Sequence, residues 1–481
     1  MNVSVITRNI GVALLFNAVF MLVSAFVSAI YDFDSSFSPL LLSTFITATA
    51  GLFPLIFVGK TEDINLKEGF TIVVLSWILS CLFGMLPYVL WGGDFSLINA
   101  WFESVSGYTT TGSTILVDVE ALPKGLLFWR SSTHYIGGMG VIVFMLLILP
   151  SVSTFRMRLS KMEISALSKE NYKFKTNQTI RIIAYMYVGL TIAETIALLF
   201  AGMNLFDAVN HAFSTIATGG FSTKNDSIIG FNSFAIEAII VVFMFLSGLH
   251  FGLMYSSIIN RSAKIFHSPI IRFYLYTLVI SIIVIALDLW ITDNGIGFWN
   301  ALWLSTFQAV SLASTTGFAT ADTSVWPHIS ILILIYLSLQ CACSGSTAGG
   351  LKSDRIYIFW TALKAQFKKQ MHPKGIIPVR AGNQVIEFEV VNSVNLYIIL
   401  YLLIVFIVTI LLSLFGMDFI DSVSASVASM GNVGPGFGTI GSLGNFSQVP
   451  VMGKFILTIQ MLLGRLEIYS FVLAFMIWKW K

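Results

Sequence analysis

The chain has 481 residues, 56% of them hydrophobic and 11% charged, where a soluble domain carries about a quarter of charged residues. At a mean hydropathy of +0.85 it cannot cover a water-facing surface, so lipid must be the solvent for much of it. A net charge of +3 excludes a strongly basic nucleic-acid binder, and three cysteines (Cys81, Cys341, Cys343) with no His/Cys cluster make neither a disulfide framework nor a metal site.

Apolar stretches of spanning length fall at 9–31, 38–58, 69–92, 131–150, 179–202, 234–259, 271–292, 329–343, 391–416 and 454–478. The first has the look of an uncleaved signal, but it is long enough to span and a second follows, so it reads as a transmembrane helix. Shorter, more polar runs at 95–108, 204–216, 298–313 and 418–430 sit between alternate pairs. They are too short to cross a hydrocarbon layer of ~30 Å and long enough to enter it and turn back. Asp207 and Asp418 begin two of them, where a carboxylate is expected to cap the free N–H groups. The pattern predicts an all-α integral membrane protein. A two-helix unit at 1–67 precedes four repeats of helix, re-entrant helix and helix at 68–178, 179–270, 271–390 and 391–481.

Each short run ends in a similar phrase: Thr110-Thr111-Gly112, Ala217-Thr218-Gly219, Thr315-Thr316-Gly317 and Asn432-Val433-Gly434. Aligning the glycines gives spacings of 107, 98 and 117 residues. One Thr-Gly pair means nothing, but four at matching places are an internal repeat.

Sidedness follows from charge. Of the 27 Lys and Arg, 22 fall in segments away from the glycine turns, four on the turn side, and Arg465 lies inside a span. With the acids counted, the balance is +14 against −8, which places both termini and the large loops in the cytoplasm. The turns then open outward, through an acidic mouth that concentrates cations. Non-helical backbone is tolerated at such depth where it lines a water-filled path, and glycine lets successive carbonyls point one way. Four such turns around an axis replace the hydration shell of a potassium ion, with the negative ends of the re-entrant helices aimed at the same place.

These residues resemble the Trk/Ktr/HKT potassium transporter superfamily, most closely its TrkH-type subunits. The match is carried by Ser106-Gly107-Tyr108-Thr109-Thr110-Thr111-Gly112, Ala217-Thr218-Gly219-Gly220-Phe221-Ser222-Thr223, Thr315-Thr316-Gly317-Phe318, Gly431-Asn432-Val433-Gly434-Pro435-Gly436-Phe437-Gly438 and Gly464-Arg465-Leu466-Glu467. The two extra N-terminal spans favour the TrkH type over the shorter KtrB type. The resemblance implies a fourfold pseudo-symmetric pore and a filter holding K⁺ at the twelve residues of the four phrases. A filter glycine in the first quarter, Gly112, argues for potassium, since serine there goes with sodium. No covalent cofactor is implied. The expected partners are a second copy of the chain, membrane lipid and a cytosolic ring of nucleotide-binding, TrkA-like regulatory subunits, in a bacterial inner membrane. Channel-like flow and K⁺/H⁺ symport both remain open.

The segment Cys341-Ala342-Cys343-Ser344-Gly345-Ser346-Thr347-Ala348-Gly349-Gly350 interrupts the third quarter's last span with residues an unbroken helix would not choose. By resemblance it is an intramembrane gate, from Ser344 to Gly350; a kink between packed helices is the plainer reading. Arg465 is the second gating candidate, hydrogen-bonding to the loop's carbonyls or to Glu467, or else pairing with Glu103, Glu194 or Glu467 to hold helices together. Glu103 is expected to anchor the first re-entrant helix, and His250 to be a satisfied interhelical residue. Two rival readings fit less well. An intramembrane serine protease would use Ser344 and His250, but nothing in the sequence unites them with an oxyanion hole. An alternating-access carrier would be built of inverted repeats, whereas these quarters keep one orientation.

Overall fold

The computed structural model describes residues 2–59, 66–148, 176–261, 263–292, 295–382 and 384–476. Most of the basic 156–181 segment therefore lies outside the described residues. The protein is a multi-pass, nearly all-helical membrane protein, with two N-terminal helices beside four pseudo-equivalent quarters.

Helices α1 (Val3–Ile30) and α2 (Phe37–Phe57) form the N-terminal pair. Their backbones touch at two glycines: a Cβ on Gly11 would stand 2.6 Å from the Gly51 carbonyl oxygen. Small residues permit this approach where helices pack in lipid. Phe45, Phe53 and Phe57 of α2 point outward and exposed, as lipid-facing side chains do. The pair is fastened to the first quarter by Asp34, which accepts from the Gly125 amide at 3.0 Å, and by Asn17, whose amide donates to Ser80 Oγ at 2.8 Å.

The first quarter runs α3 (Leu66–Gly84), α4 (Leu86–Trp91), the half-length α5 (Leu97–Tyr108) and α6 (Lys124–Ile148). The second runs α7 (Thr176–Phe200), half-length α8 (Leu205–Ile216), α9 (Phe234–Ser247) and α10 (Phe251–Ile259). The third runs α11 (Pro269–Thr292), half-length α12 (Phe298–Ala313), α13 (His328–Leu339) and α14 (Ser353–Met371). The fourth runs α15 (Phe388–Leu414), half-length α16 (Phe419–Gly431), α17 (Val451–Leu466) and α18 (Ile468–Met476). The half-length helices have 12, 12, 16 and 13 residues, or roughly 18–24 Å at 1.5 Å per residue, so none of them crosses.

Among the described residues six helices are long and apolar enough to span, or eight when two bent pairs each count as one. The spans expected as unbroken at 234–259 and 454–478 are those pairs, bent by 101° between α9 and α10 and by 108° between α17 and α18. The two other expected spans fall on α6 and on α13, whose 12 apolar residues stop at Gln340. Asp207 and Asp418 do not cap as expected. Asn204 caps α8, accepting from Asp207 N at 2.9 Å, because Asp207 already lies in the first turn, where its carboxylate accepts from Thr223 Oγ1 at 2.6 Å. Asp418 stands at the N-cap of α16 and makes no side-chain cap bond.

Candidate ion-binding site

All four half-length helices end in one hydrogen-bond pattern. The N–H groups of Thr110, Thr218, Thr315 and Asn432 donate to the carbonyls three residues back, at 2.9–3.3 Å. Those of Thr111, Gly219, Thr316 and Val433 donate five residues back, at 2.8–2.9 Å. This is the Schellman ending, which requires a left-handed residue and usually takes glycine there. Here three threonines and an asparagine adopt φ of +51°, +57°, +62° and +53°. A β-branched residue in that region is strained by about 1–3 kcal/mol, which persists only where the surroundings enforce it. Two residues on come Gly112, Gly220, Gly317 and Gly434, with φ of +84°, +82°, +81° and +96°.

The register of the second quarter thus differs by one residue from the expected alignment. Thr218, not Ala217, is the counterpart of Thr110, and Gly220, not Gly219, is the counterpart of Gly112. Two adjacent glycines hid the choice, and the hydrogen bond from Gly219 N to Ser214 O decides it.

The turns close a ring. A Cβ on Gly112 would stand 2.1 Å from the carbonyl oxygen of Gly219; on Gly220, 2.0 Å from that of Thr316; on Gly317, 2.1 Å from that of Val433; and on Gly434, 2.5 Å from that of Thr111. Each quarter's glycine abuts the next quarter's carbonyl, and the fourth returns to the first. A side chain at any of these four places would be strained by both its φ and the contact. The same four glycines line one cavity, together with polar residues such as Ser222, Asn225 and Ser442 of the outer loops.

Polar side chains strap each helix to the chain rising from its turn. Nine residues before the four glycines stand Glu103, His211, Gln308 and Ala425. Glu103, fully buried, accepts from Arg130 Nε at 2.8 Å, Thr114 Oγ1 at 2.9 Å and Ile115 N at 3.0 Å. His211 Nε2 lies 3.0 Å from Ser222 Oγ, and the Gln308 amide meets the backbone at Ala321. In the fourth quarter Asp421 serves instead, accepting from Thr439 N at 3.0 Å. Arg130 also stacks 4.0 Å from the centroid of the Phe221 ring, which itself stacks on His134 with centroids 4.1 Å apart, and His134 backs Gly219. Arg130 is one of the four basic residues counted on the turn side, and sequence reasoning missed this role. Its signal was a charge of the right sign 27 residues from Glu103 on a neighbouring helix. Glu103→Ala should leave the Arg130 charge buried and unpaired, costing about 3–5 kcal/mol. A lowered thermal midpoint of the detergent-solubilised protein is the expected readout; an unchanged midpoint would contradict the strap.

On the helix side of the ring lies the 341–350 segment. Its ends pair in parallel, Gln340 with Leu351 and Cys341 with Lys352, so the loop closes beside its start and the chain continues in the same direction. Gly349 N donates to Thr315 Oγ1 at 3.1 Å, and a Cβ on Gly349 would meet that of Asn432 at 2.6 Å. Thr347 Oγ1 donates to Ile216 O at the end of α8, at 2.9 Å. The Gly345 carbonyl accepts from Phe251 N and the Gly248 carbonyl from Cys343 N, both at 3.1 Å, at the break between α9 and α10. Lys352 Nζ donates to Ala348 O, and Ser346 Oγ to Cys343 O at 2.7 Å. Gly350 sits against Cys341 Sγ and the Gly431 carbonyl. Arg465, buried in α17, donates from one nitrogen to Thr347 O at 2.7 Å and from another to Gly137 O at 3.2 Å. It bonds to none of Glu103, Glu194 and Glu467. His250 caps α10, its Nδ1 accepting from Gly252 N at 3.1 Å, while Ser344 Oγ donates to Asp354 at 2.7 Å. The Ser344 hydroxyl thus donates to an acid, and His250 Nδ1 accepts from backbone N–H groups.

The comparisons agree with this architecture. The family model for TrkH, described as a cation transport protein, matches residues 43–479. The Trk system potassium uptake protein TrkH of Salmonella typhimurium is 33% identical over 100% of both chains, and that of Escherichia coli K12 is 32% identical over the same share. The crystal structure of the potassium transporter TrkH from Vibrio parahaemolyticus superposes with a TM-score of 0.90 at 31% identity, covering 100% of each chain. These relatives are transport proteins rather than enzymes. A ring of four glycine turns, a full-length sequence match and a full-length structural match converge on one conclusion: the chain belongs to the TrkH family of cation transport proteins.

Proposed function

We propose that this chain carries potassium ions into the cell through the ring of glycine turns, with the 341–350 segment and Arg465 as its gate. The observation that carries the reading is the closed cycle of glycine-to-carbonyl contacts, which sets four equivalent backbone carbonyls in one ring. Such a ring replaces an ion's hydration shell, while the C-terminal dipoles of α5, α8, α12 and α16 favour a cation there. The relatives are potassium uptake proteins, which points to the same ion. The ligand set is then Thr110, Thr111, Gly112, Thr218, Gly219, Gly220, Thr315, Thr316, Gly317, Asn432, Val433 and Gly434. The loop that touches Thr315 and Asn432 obstructs the path on the cytoplasmic side, and the Arg465 charge repels a cation next to it.

Liposomes holding the purified chain test this. Potassium uptake should exceed sodium uptake, and imposing pH or sodium gradients separates channel-like flow from symport. Equal uptake of the two ions would contradict the reading.

The proposal extends to an inner-membrane homodimer, one pore per subunit, with cytoplasmic termini and a nucleotide-binding regulatory ring below. Lys368 and Lys369, exposed in the last turn of α14, belong to the basic face that would seat an acidic patch of that ring. Reversing both to Glu should weaken co-purification with the ring at low ionic strength, and salt should weaken the wild-type complex towards the same level. Undiminished binding would leave anionic lipid as the partner of this face.

A further inference from the structure

We infer that the ion pair between Arg355 and Glu467 positions Arg465 and thereby holds the path closed; this rests on the gating role proposed above. Glu467 stands where α17 ends and the chain turns by 108° into α18. Its backbone has φ +62° and ψ 137°, outside the left-handed helical basin and foreign to a residue with a side chain. A non-glycine outlier of this kind persists only where its surroundings hold it, and it marks places where strain is used. The holder is visible. The Glu467 carboxylate accepts from Arg355 at 2.6 Å, with both side chains largely buried.

Arg355 is tied to the loop as closely as Glu467 is tied to Arg465. It lies in the first turn of α14, whose Ser353 N donates to Ala342 O at 3.1 Å and whose Asp354 accepts from Ser344 at 2.7 Å. On its other face the guanidinium stacks 3.9 Å from the Tyr397 ring centroid of α15. One buried cation thus joins α14, α15 and the bend of α17, and Glu467 is two residues from the arginine that bonds Thr347 O. Removing either charge leaves the other buried and unpaired, and it frees the strained bend to relax. Relaxation there swings the end of α17, and Arg465 leaves the loop.

The test is potassium flux into liposomes containing the full chain, without regulatory partner. Glu467→Gln and Arg355→Gln should each raise flux on the order of tenfold, with the preference for K⁺ over Na⁺ retained. Glu467→Gly, which removes the carboxylate but also makes the bend's φ and ψ acceptable, should raise flux less than Glu467→Gln does. The exchanged pair, Arg355→Glu with Glu467→Arg, should return flux towards the wild-type level, which a merely structural loss would not do. Arg465→Ala is the control. Raised flux in Arg465→Ala with wild-type flux in the three single variants at Arg355 and Glu467 would overturn the positioning role and leave the gate standing. Wild-type flux in all four would overturn the gate itself.

Discussion

Replacing Gly112 by serine is expected to lower the preference for K⁺ over Na⁺ by at least about tenfold while the protein still inserts. The added Cβ would stand 2.1 Å from the Gly219 carbonyl oxygen, and the backbone at Gly112 has φ +84°. Both force a local shift, and the shift falls on a carbonyl of the ring itself rather than on a flexible side chain. The fold should survive, because the straps at Glu103, His211, Gln308 and Asp421 hold the half-length helices without help from the turn. A bi-ionic reversal potential in planar bilayers reads the result. The matching change at Gly220 should act alike, whereas at Gly219, where φ is not positive, a Cβ would press on His134 instead. Unchanged selectivity in both Gly112→Ser and Gly220→Ser would remove the ring from ion discrimination.

Potassium flux without the regulatory partner should rise on the order of tenfold when Arg465 becomes alanine or when Gly345–Gly349 is deleted. The arginine makes two hydrogen bonds to buried carbonyls, Thr347 O and Gly137 O, and bonds to charged donors are each worth about 1.5–3 kcal/mol. Losing them frees the loop, and losing the charge removes the repulsion of a passing cation. The loop's own bonds run to Ile216 O, Thr315, Asp354 and the break at Gly248–Phe251, so the closed arrangement is held by hydrogen bonds and opens by moving backbone rather than a packed helix. Selectivity should persist, because the ring lies outside the loop. Flux no higher than wild type in both variants, with protein correctly inserted, would return loop and arginine to a packing role.

Much of the fold was legible because its causes are local and periodic. Half-length polar runs between full spans, and a Thr-Gly or Val-Gly phrase after each, announce the fourfold plan wherever the period of the repeat is read. The register of the second turn was not legible, since Gly219 and Gly220 are equally good glycines and the choice is made by which N–H reaches Ser214 O. The breaks at Gly248–His250 and Glu467 escaped for another reason. Both lie within runs that are apolar overall, and the contacts at the bends are tertiary: the Gly345 carbonyl at one break and the Arg355 guanidinium at the other. Asp207 looked like a cap because caps are local, but its carboxylate is claimed by Thr223, sixteen residues away. The strap of Glu103 by Arg130 depends on two helices meeting, which no window of sequence displays. Arg465 was found from sequence as a charge inside a span, yet only the packing showed that it bonds the loop rather than an acid.

In the proposed function, four turns from four quarters make one binding ring for an ion. Anomalous scattering from crystals grown in rubidium, a potassium substitute, tests it most directly. The account predicts a peak on the axis between the carbonyls of Thr111, Gly219, Thr316 and Val433, reduced in Gly112→Ser. Strong rubidium peaks elsewhere in the pore with none inside that ring would contradict it.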